Sequence, residues 1–407
     1  MVFCKGKNSS LIAFKELFTK YAACSGQIIN INKSFIYVGG ISDSRLDSIV
    51  NMLGFYTGAV PFNYLGAPIF KGKPKVIHFQ LVVDKIKTKL DSWKASLLYM
   101  AGRVQMVKSV INNMLLHTMA VYSWPISLLR EIERWIKNFI WSGDKDKRKL
   151  VIVSWKKVCS DLFEGGLGIK SLICLNEATK LKLCWDMLHS NEQWASLIRS
   201  RAIRGKSCIS HHIYSSIWSG IKGEYQVIMN NSNWLLGDGQ KINFWSDNWC
   251  GVHIADHFQI PISLSSTFPQ HVNAFMVNKQ WSIPIEIQNH VPLLKNLVTQ
   301  VTIPTADQSD QLVWNHNASG NLPLKDAFHF KKHHHMLIPW TKCIWNKDIP
   351  PSKAMLVWRM MMGKLPTDDL LAQRGCHLPW ICFLCLAAAE TSRHLLFDCA
   401  YSLHIWN

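Results

Sequence analysis

Near the C-terminus four potential metal ligands fall within one short segment, spaced Cys382-x2-Cys385-x8-His394-x4-Cys399. A Cys-x2-Cys turn points two thiolates at one place, and His-x4-Cys on a following helical segment brings an imidazole and a third thiolate opposite. Together they close a tetrahedral site of the kind zinc prefers. Four protein ligands leave no open position, so such a zinc is structural, and the backbone on both sides must fold around one point. Two rival readings of the spacing stay open. One is a redox Cys-x2-Cys, which wants a strand-helix context that this segment lacks; the other is chance spacing in a chain with 12 Cys. Cys376, His377 and His404 are the nearest spare ligands.

Other clusters are weaker. Cys250-x2-His253-x3-His257 offers only three candidates. Gly165-Gly166-Leu167-Gly168 lacks the Lys-Ser/Thr of a phosphate loop and is read as a tight turn, and Arg204-Gly205-Lys206-Ser207 lacks the earlier glycine that such a loop needs. His333-His334-His335 and the run Lys145 to Lys149 are read as solvated loops.

Helical periodicity organises the stretch from Val76 to Trp141. Ile86, Leu90, Trp93 and Leu97, then Val104, Val107 and Ile111, then Ile132, Trp135, Ile136 and Phe139 each recur on one face, which predicts three packed helices. Upstream, Leu11, Phe14, Leu17, Phe18 and Tyr21 share one face of a further helix, and Phe35 to Val38 reads as a strand. Between Gly251 and Asp310 the periodicity dissolves and five Pro accumulate, so an extended connector without its own core is expected. Further on, Ser352 is expected to cap a helix over 353–362 stopped by Gly363, and Thr367 a second that ends at Gly375.

Charge is unevenly placed. The formal net charge is +18, of which +14 lies in residues 1–170 and +4 in the rest. A field of that sign attracts polyanions. The apolar window from Val110 to Leu129 is broken by Asn112, Asn113, His117 and Pro125, so no membrane span is expected, and Lys5 and Lys7 directly after Met1 to Cys4 give no signal-peptide pattern. A nuclear or cytoplasmic, non-secreted protein that binds nucleic acid follows as the expectation.

Read in order, short motifs resemble a known family. Ser25-Gly26 through Asn30 to Lys33-Ser34, then Tyr64-Leu65-Gly66, Trp93, Ala101-Gly102-Arg103 and Phe139-Ile140-Trp141 resemble the reverse transcriptase of plant LINE-type (non-LTR) retrotransposons, from just beyond its catalytic aspartates. Glu164 to Ile169, Gly237-Asp238-Gly239 with Phe244-Trp245-x-Asp247-Asn248-Trp249, Trp358-Arg359, Lys364-Leu365-Pro366-Thr367 and the Cys/His cluster resemble the same polyproteins through their reverse-transcriptase zinc-binding domain.

The resemblance implies an RNA-directed DNA polymerase whose template-primer is RNA and DNA. Its two-metal Mg2+ site uses aspartates that this sequence does not present, and relatives often continue into a ribonuclease H domain, for which eight residues after Cys399 leave no room. It also implies that Lys33 supports pyrophosphate release, that Tyr64, Leu65 and Gly66 form the turn gripping the primer, and that the bundle is a thumb tracking the duplex. Lys85, Lys89, Lys94 and Arg103 are then the expected nucleic-acid contacts, with no catalytic residue of the chain's own.

The expected fold is α+β and mostly helical: a palm remnant with the primer-grip-like turn in 1–75, a thumb-like region in 76–145, a connector in 146–310 and a zinc-binding domain in 311–407. The expected function is that of a catalytically silent polymerase fragment. The competing expectation is a zinc-stabilised protein-interaction module derived from a retroelement.

Overall fold

The computed structural model describes residues 1–93, 98–204 and 207–406. It is α+β and mostly helical, with strands only in two-stranded pairs among the described residues. No helix among them is long and apolar enough to cross a membrane.

The N-terminal part is built from α1 (Asn8–Ser25) and α2 (Asp43–Leu53), which contact each other and bury Leu11 and Ile49 respectively. The apolar face read from the sequence is present, but Leu17 and Tyr21 on it stay 65% and 52% exposed. Between and after these helices β1 (Phe35–Ile36) pairs in parallel with β2 (Tyr56–Thr57). A hairpin of β3 (Phe62–Tyr64) and β4 (Ala67–Ile69) follows, in register Phe62 to Ile69.

Three helices then pack as the periodicity predicts. They are α3 (Gln80–Ser92), α4 (Met100–Met106) running through a π turn over Val107–Ile111 into α5 (Asn112–Met119), and α6 (Ile126–Ser142). Ile86, Leu90, Val107, Ile111, Ile132 and Phe139 are all buried in one core. Full burial of each such side chain contributes about 1.5–3 kcal/mol, which fixes the faces. Leu97 and Lys94, expected in this bundle, lie outside the described residues, as do Gly205 and Lys206 of the GKS sequence.

The same core takes in residues far along the chain. Leu167, Ile169 and Leu172 belong to it, and so do Ile344, Ala354, Met355 and Trp358. The helix Pro351–Met361 that carries Trp358 begins earlier than the sequence indicated: Pro350 is its N-cap and Pro351 its first residue, rather than Ser352 capping it. Proline's fixed φ suits that first position, where no N–H partner is needed. Thr367 does precede the helix Asp368–Ala372, although its hydroxyl meets Ser392 instead of capping the backbone.

A second core joins the helices Leu172–His189 and Trp218–Asn230 to Leu312, Trp314, Leu322 and Ala327. It is closed by an antiparallel pair, Ser232–Leu235 with Gln311–Trp314. Between those two strands the structure corrects the expectation of a coreless connector. Ile242, Phe244, Trp245, Trp249, Val272, Phe275, Ile287, Leu294 and Val298 form a third buried cluster. The physical reason is helix length: Ile254–His257, Ile262–Ser265, Ile285–His290 and Leu294–Thr299 span four to six residues each, too short for a 3.6-residue period to show.

Glycine and aspartate motifs in this part have structural tasks. Asp310, 4% exposed, accepts the backbone N–H groups of Gly237, Gly239 and Lys241 at 2.8–2.9 Å. Asp247 accepts from Asn243 N–H at 2.8 Å, and Trp249 donates to the Phe244 carbonyl. The Gly165 to Gly168 segment is the tight turn expected, with Gly166 and Gly168 donating to the carbonyls of Asp161 and Ser160. Gly166 has no substitute there, because a Cβ would fall 2.0 Å from the Ser160 carbonyl oxygen.

Candidate metal centre

The segment after the helix Asp368–Ala372 folds back on itself through a bridge between Ile381 and Ala389. Inside it Cys382 donates its N–H to the Ala388 carbonyl at 2.7 Å and accepts from Leu386 N–H at 2.9 Å, which curls Cys382 to Cys385 into a knuckle. Leu386, the residue after the second cysteine, sits in the left-handed region at φ +53. On the other side Thr391 Oγ1 accepts the His394 N–H, and a single π turn over His394–Asp398 leads to Cys399, whose N–H returns to the His394 carbonyl at 2.8 Å.

These two pieces bring the four sequence-predicted side chains together. All four ligand atoms lie within 4.8 Å of one another. Cys385 Sγ is 3.2 Å from His394 Nε2, and Cys382 Sγ is 4.0 Å from Cys399 Sγ. Around a zinc ion with bonds of about 2.3 Å, tetrahedral sulfurs stand about 3.7 Å apart, so the spacing fits that ion without backbone movement. Three sulfurs and one imidazole are also the donor set that zinc takes in closed structural sites. Cys382 and Cys399 are buried, while Cys385 and His394 are half-buried. The Ala387 N–H holds the Cys385 thiol below its usual value, favouring the thiolate a metal needs, whereas burial pushes the Cys399 thiol up.

Among the described residues this is the sole group of three or more His, Cys, Asp or Glu placed to hold one ion. His253, from the weaker three-ligand spacing, has its Nδ1 2.9 Å from the Ser246 carbonyl, and Cys250 donates to the Val252 carbonyl.

The expected nucleic-acid contacts are distributed less simply. Tyr64 ends β3, and Leu65 and Gly66 form the two-residue turn at φ +49 and +83, the left-handed pair that closes tight hairpins. Leu65 is 79% exposed at the tip. Its carbonyl oxygen lies 3.1 Å from Nε2 of His117 on α5, so the turn is tied to the bundle. Nothing in the sequence pointed to His117 beyond its interrupting an apolar run.

Lys85 and Lys89 stand one turn apart on α3, both exposed on the side away from Val83, Ile86 and Leu90. Lys33 is exposed at the end of the single turn Ile31–Lys33. Arg103 is placed differently: it is half-buried and donates to the Ile140 carbonyl near the end of α6, and burial lowers its pKa. It serves a helix terminus rather than the open surface. Lys108 is also turned inward, its pKa lowered by burial against an opposing pull from Asp161.

Known proteins are similar to this chain over the segment that holds these ligands. Residues 323–406 match the family model described as zinc-binding in reverse transcriptase. A putative ribonuclease H protein of Arabidopsis thaliana is 24% identical over 357 residues, a match covering 83% of this chain and 57% of that protein. The chain thus aligns with little more than half the length of that relative. An uncharacterized mitochondrial protein of the same plant is 27% identical over 138 residues, covering 33% of this chain and 90% of that protein. The Cys3His cluster falls inside the segment that matches the family of zinc-binding domains in reverse transcriptase, so that segment is similar to a reverse-transcriptase zinc-binding domain.

Proposed function

We propose that the chain is the nucleic-acid-gripping part of a non-LTR retrotransposon RNA-directed DNA polymerase, its C-terminal segment fixed by one structural zinc on Cys382, Cys385, His394 and Cys399. One observation carries this reading. Trp358, within the segment matched to reverse transcriptases, is fully buried in the same core as the basic helices, so that segment and the bundle form one body.

On that body the hairpin tip Tyr64-Leu65-Gly66 is tied to α5 by His117, and the outer side of α3, which packs in the same bundle, carries Lys85 and Lys89. A rigid tip and a basic face suit a duplex held by its phosphates: the charges supply affinity without sequence preference, and the tip sets position. The partner is a template-primer of RNA and DNA. The chain holds it without carrying out nucleotide addition.

The test is duplex binding by the full chain across a salt series. Replacing Lys85 and Lys89 with Ala should weaken binding to any sequence and flatten the slope of log K against log salt by about 0.9 for each phosphate no longer neutralised. An unchanged slope contradicts the assignment of these lysines. A flat slope for the wild-type chain favours the interaction-module reading instead. Template-dependent incorporation with magnesium, abolished by a substitution within 1–407, would contradict the absence of synthesis.

A further inference from the structure

A cleft of about 360 Å³ opens between the segment that leaves β4 and the region around the helix Gln193–Ala202. Its walls combine Phe70, Trp194, Tyr214 and Trp218 with two cations, Lys71 and Arg201, and no carboxylate lines it. Trp218 and Phe70 are buried and form the floor, whereas Tyr214 is 69% exposed at the rim. Lys71 and Arg201 are both exposed. Among the described residues neither has a salt bridge within 4.0 Å.

The rim is shaped by Gly72. It sits at φ +81, and a Cβ there would come within 3.3 Å of the Tyr214 hydroxyl, so the tyrosine ring lies directly against bare backbone. Serine hydroxyl geometry holds the same loop, since Ser215 Oγ accepts the N–H groups of Ile217 and Trp218.

Flat aromatic walls with unpaired cations at the mouth match a ligand that is itself a flat ring joined to an anion. That is the chemistry of a nucleotide. The cleft is also continuous in sequence with the proposed gripping surface: Phe70 and Lys71 follow the hairpin Phe62–Ile69 directly, and exposed Lys73 and Lys75 lead on to α3. We propose that this cleft receives an unpaired nucleotide of the bound strand, its base against Tyr214 and Trp194 and its phosphates near Lys71 and Arg201. The proposal rests on the nucleic-acid reading above and adds a single-strand subsite to it. RNA and DNA share this chemistry.

The experiment uses the full chain with three fluorescent probes: a blunt duplex, the same duplex with an unpaired DNA extension, and the same with an unpaired RNA extension. The extension should raise affinity, and Tyr214→Ala should weaken extended probes about fivefold or more while leaving the blunt duplex unchanged. Tyr214→Phe, which keeps the ring, should bind as wild type. Arg201→Ala should likewise lower affinity for the extended probes alone. Iodouracil placed in the extension should crosslink within residues 194–218. If DNA and RNA extensions differ, the subsite also reads the sugar. Extended probes that bind Tyr214→Ala and Arg201→Ala as tightly as wild type, with crosslinks elsewhere, overturn the cleft but leave the basic face standing. Failure of every probe to bind overturns the reading beneath it.

Discussion

The indole N–H of Trp358 donates to the carbonyl oxygen of Gly165 at 2.9 Å, across 193 residues of sequence. Trp358 also stacks near Trp141, the rings 6.3 Å apart, and Arg359 beside it lies over that ring. The helix Pro351–Met361 is therefore fastened to the end of α6 and to the glycine turn.

Two substitutions test that fastening. Trp358→Phe leaves the Gly165 carbonyl without its indole partner and should cost about 1–3 kcal/mol, whereas Trp358→Ala also empties core volume and should cost about 3–5 kcal/mol. Gly166→Ala should be at least as damaging, because the added methyl meets Ser160 backbone. Chemical denaturation of the full chain measures all three. The same packing limits what metal removal can do: chelation should release amide protection in the knuckle and the final helix, Ala400–Trp406, while amides over 351–361 stay protected in hydrogen exchange.

Stability should fall in acid through Glu164. Burial raises its pKa, but the Asp161 N–H and the Lys332 ammonium outweigh that effect and leave the carboxyl below its ordinary value of 4.5. A carboxyl depressed in the folded state stabilises fully above that ordinary value, and the contribution disappears as pH falls through the folded pKa. Glu164→Gln should lose about 1.5–3 kcal/mol at pH 7, since Asp161 still pairs with Lys332. It should also flatten the acid limb of stability against pH. An identical acid limb in the variant would refute this role.

How much of this was legible beforehand depends on the length of each pattern. The faces of α3 and α6 were readable because helices of 13 and 17 residues repeat their period several times. The Cys/His spacing was readable because its ligands lie within one local fold. The third core was not, since Phe244, Phe275 and Val298 converge through short helices and turns that leave no repeat. Arg103 looked like one more surface cation, and only the approach of α6 turns it toward the Ile140 carbonyl. Trp358 read as part of the C-terminal domain, yet its burial is supplied by the bundle.

The knuckle carries a local strain that can be probed. Leu386 holds φ +53 and is mostly exposed, so its side chain gains little burial to offset a conformation that costs an L-residue about 1–2 kcal/mol. Leu386→Gly should leave stability unchanged or raise it by up to about 1 kcal/mol, whereas Leu386→Val, branched at Cβ, should lower it. Thermal denaturation of the zinc-loaded chain compares them, and a strongly destabilised glycine variant would show that the leucine side chain itself holds the knuckle.

The most direct test is X-ray absorption at the zinc edge on the purified full chain, combined with metal content. One zinc per chain is predicted, with a shell of three sulfurs at about 2.3 Å and one nitrogen at about 2.0–2.1 Å, and Cys385→Ser should remove one sulfur from that shell. Substoichiometric zinc, or a shell of nitrogen and oxygen without sulfur, would contradict a structural zinc on Cys382, Cys385, His394 and Cys399.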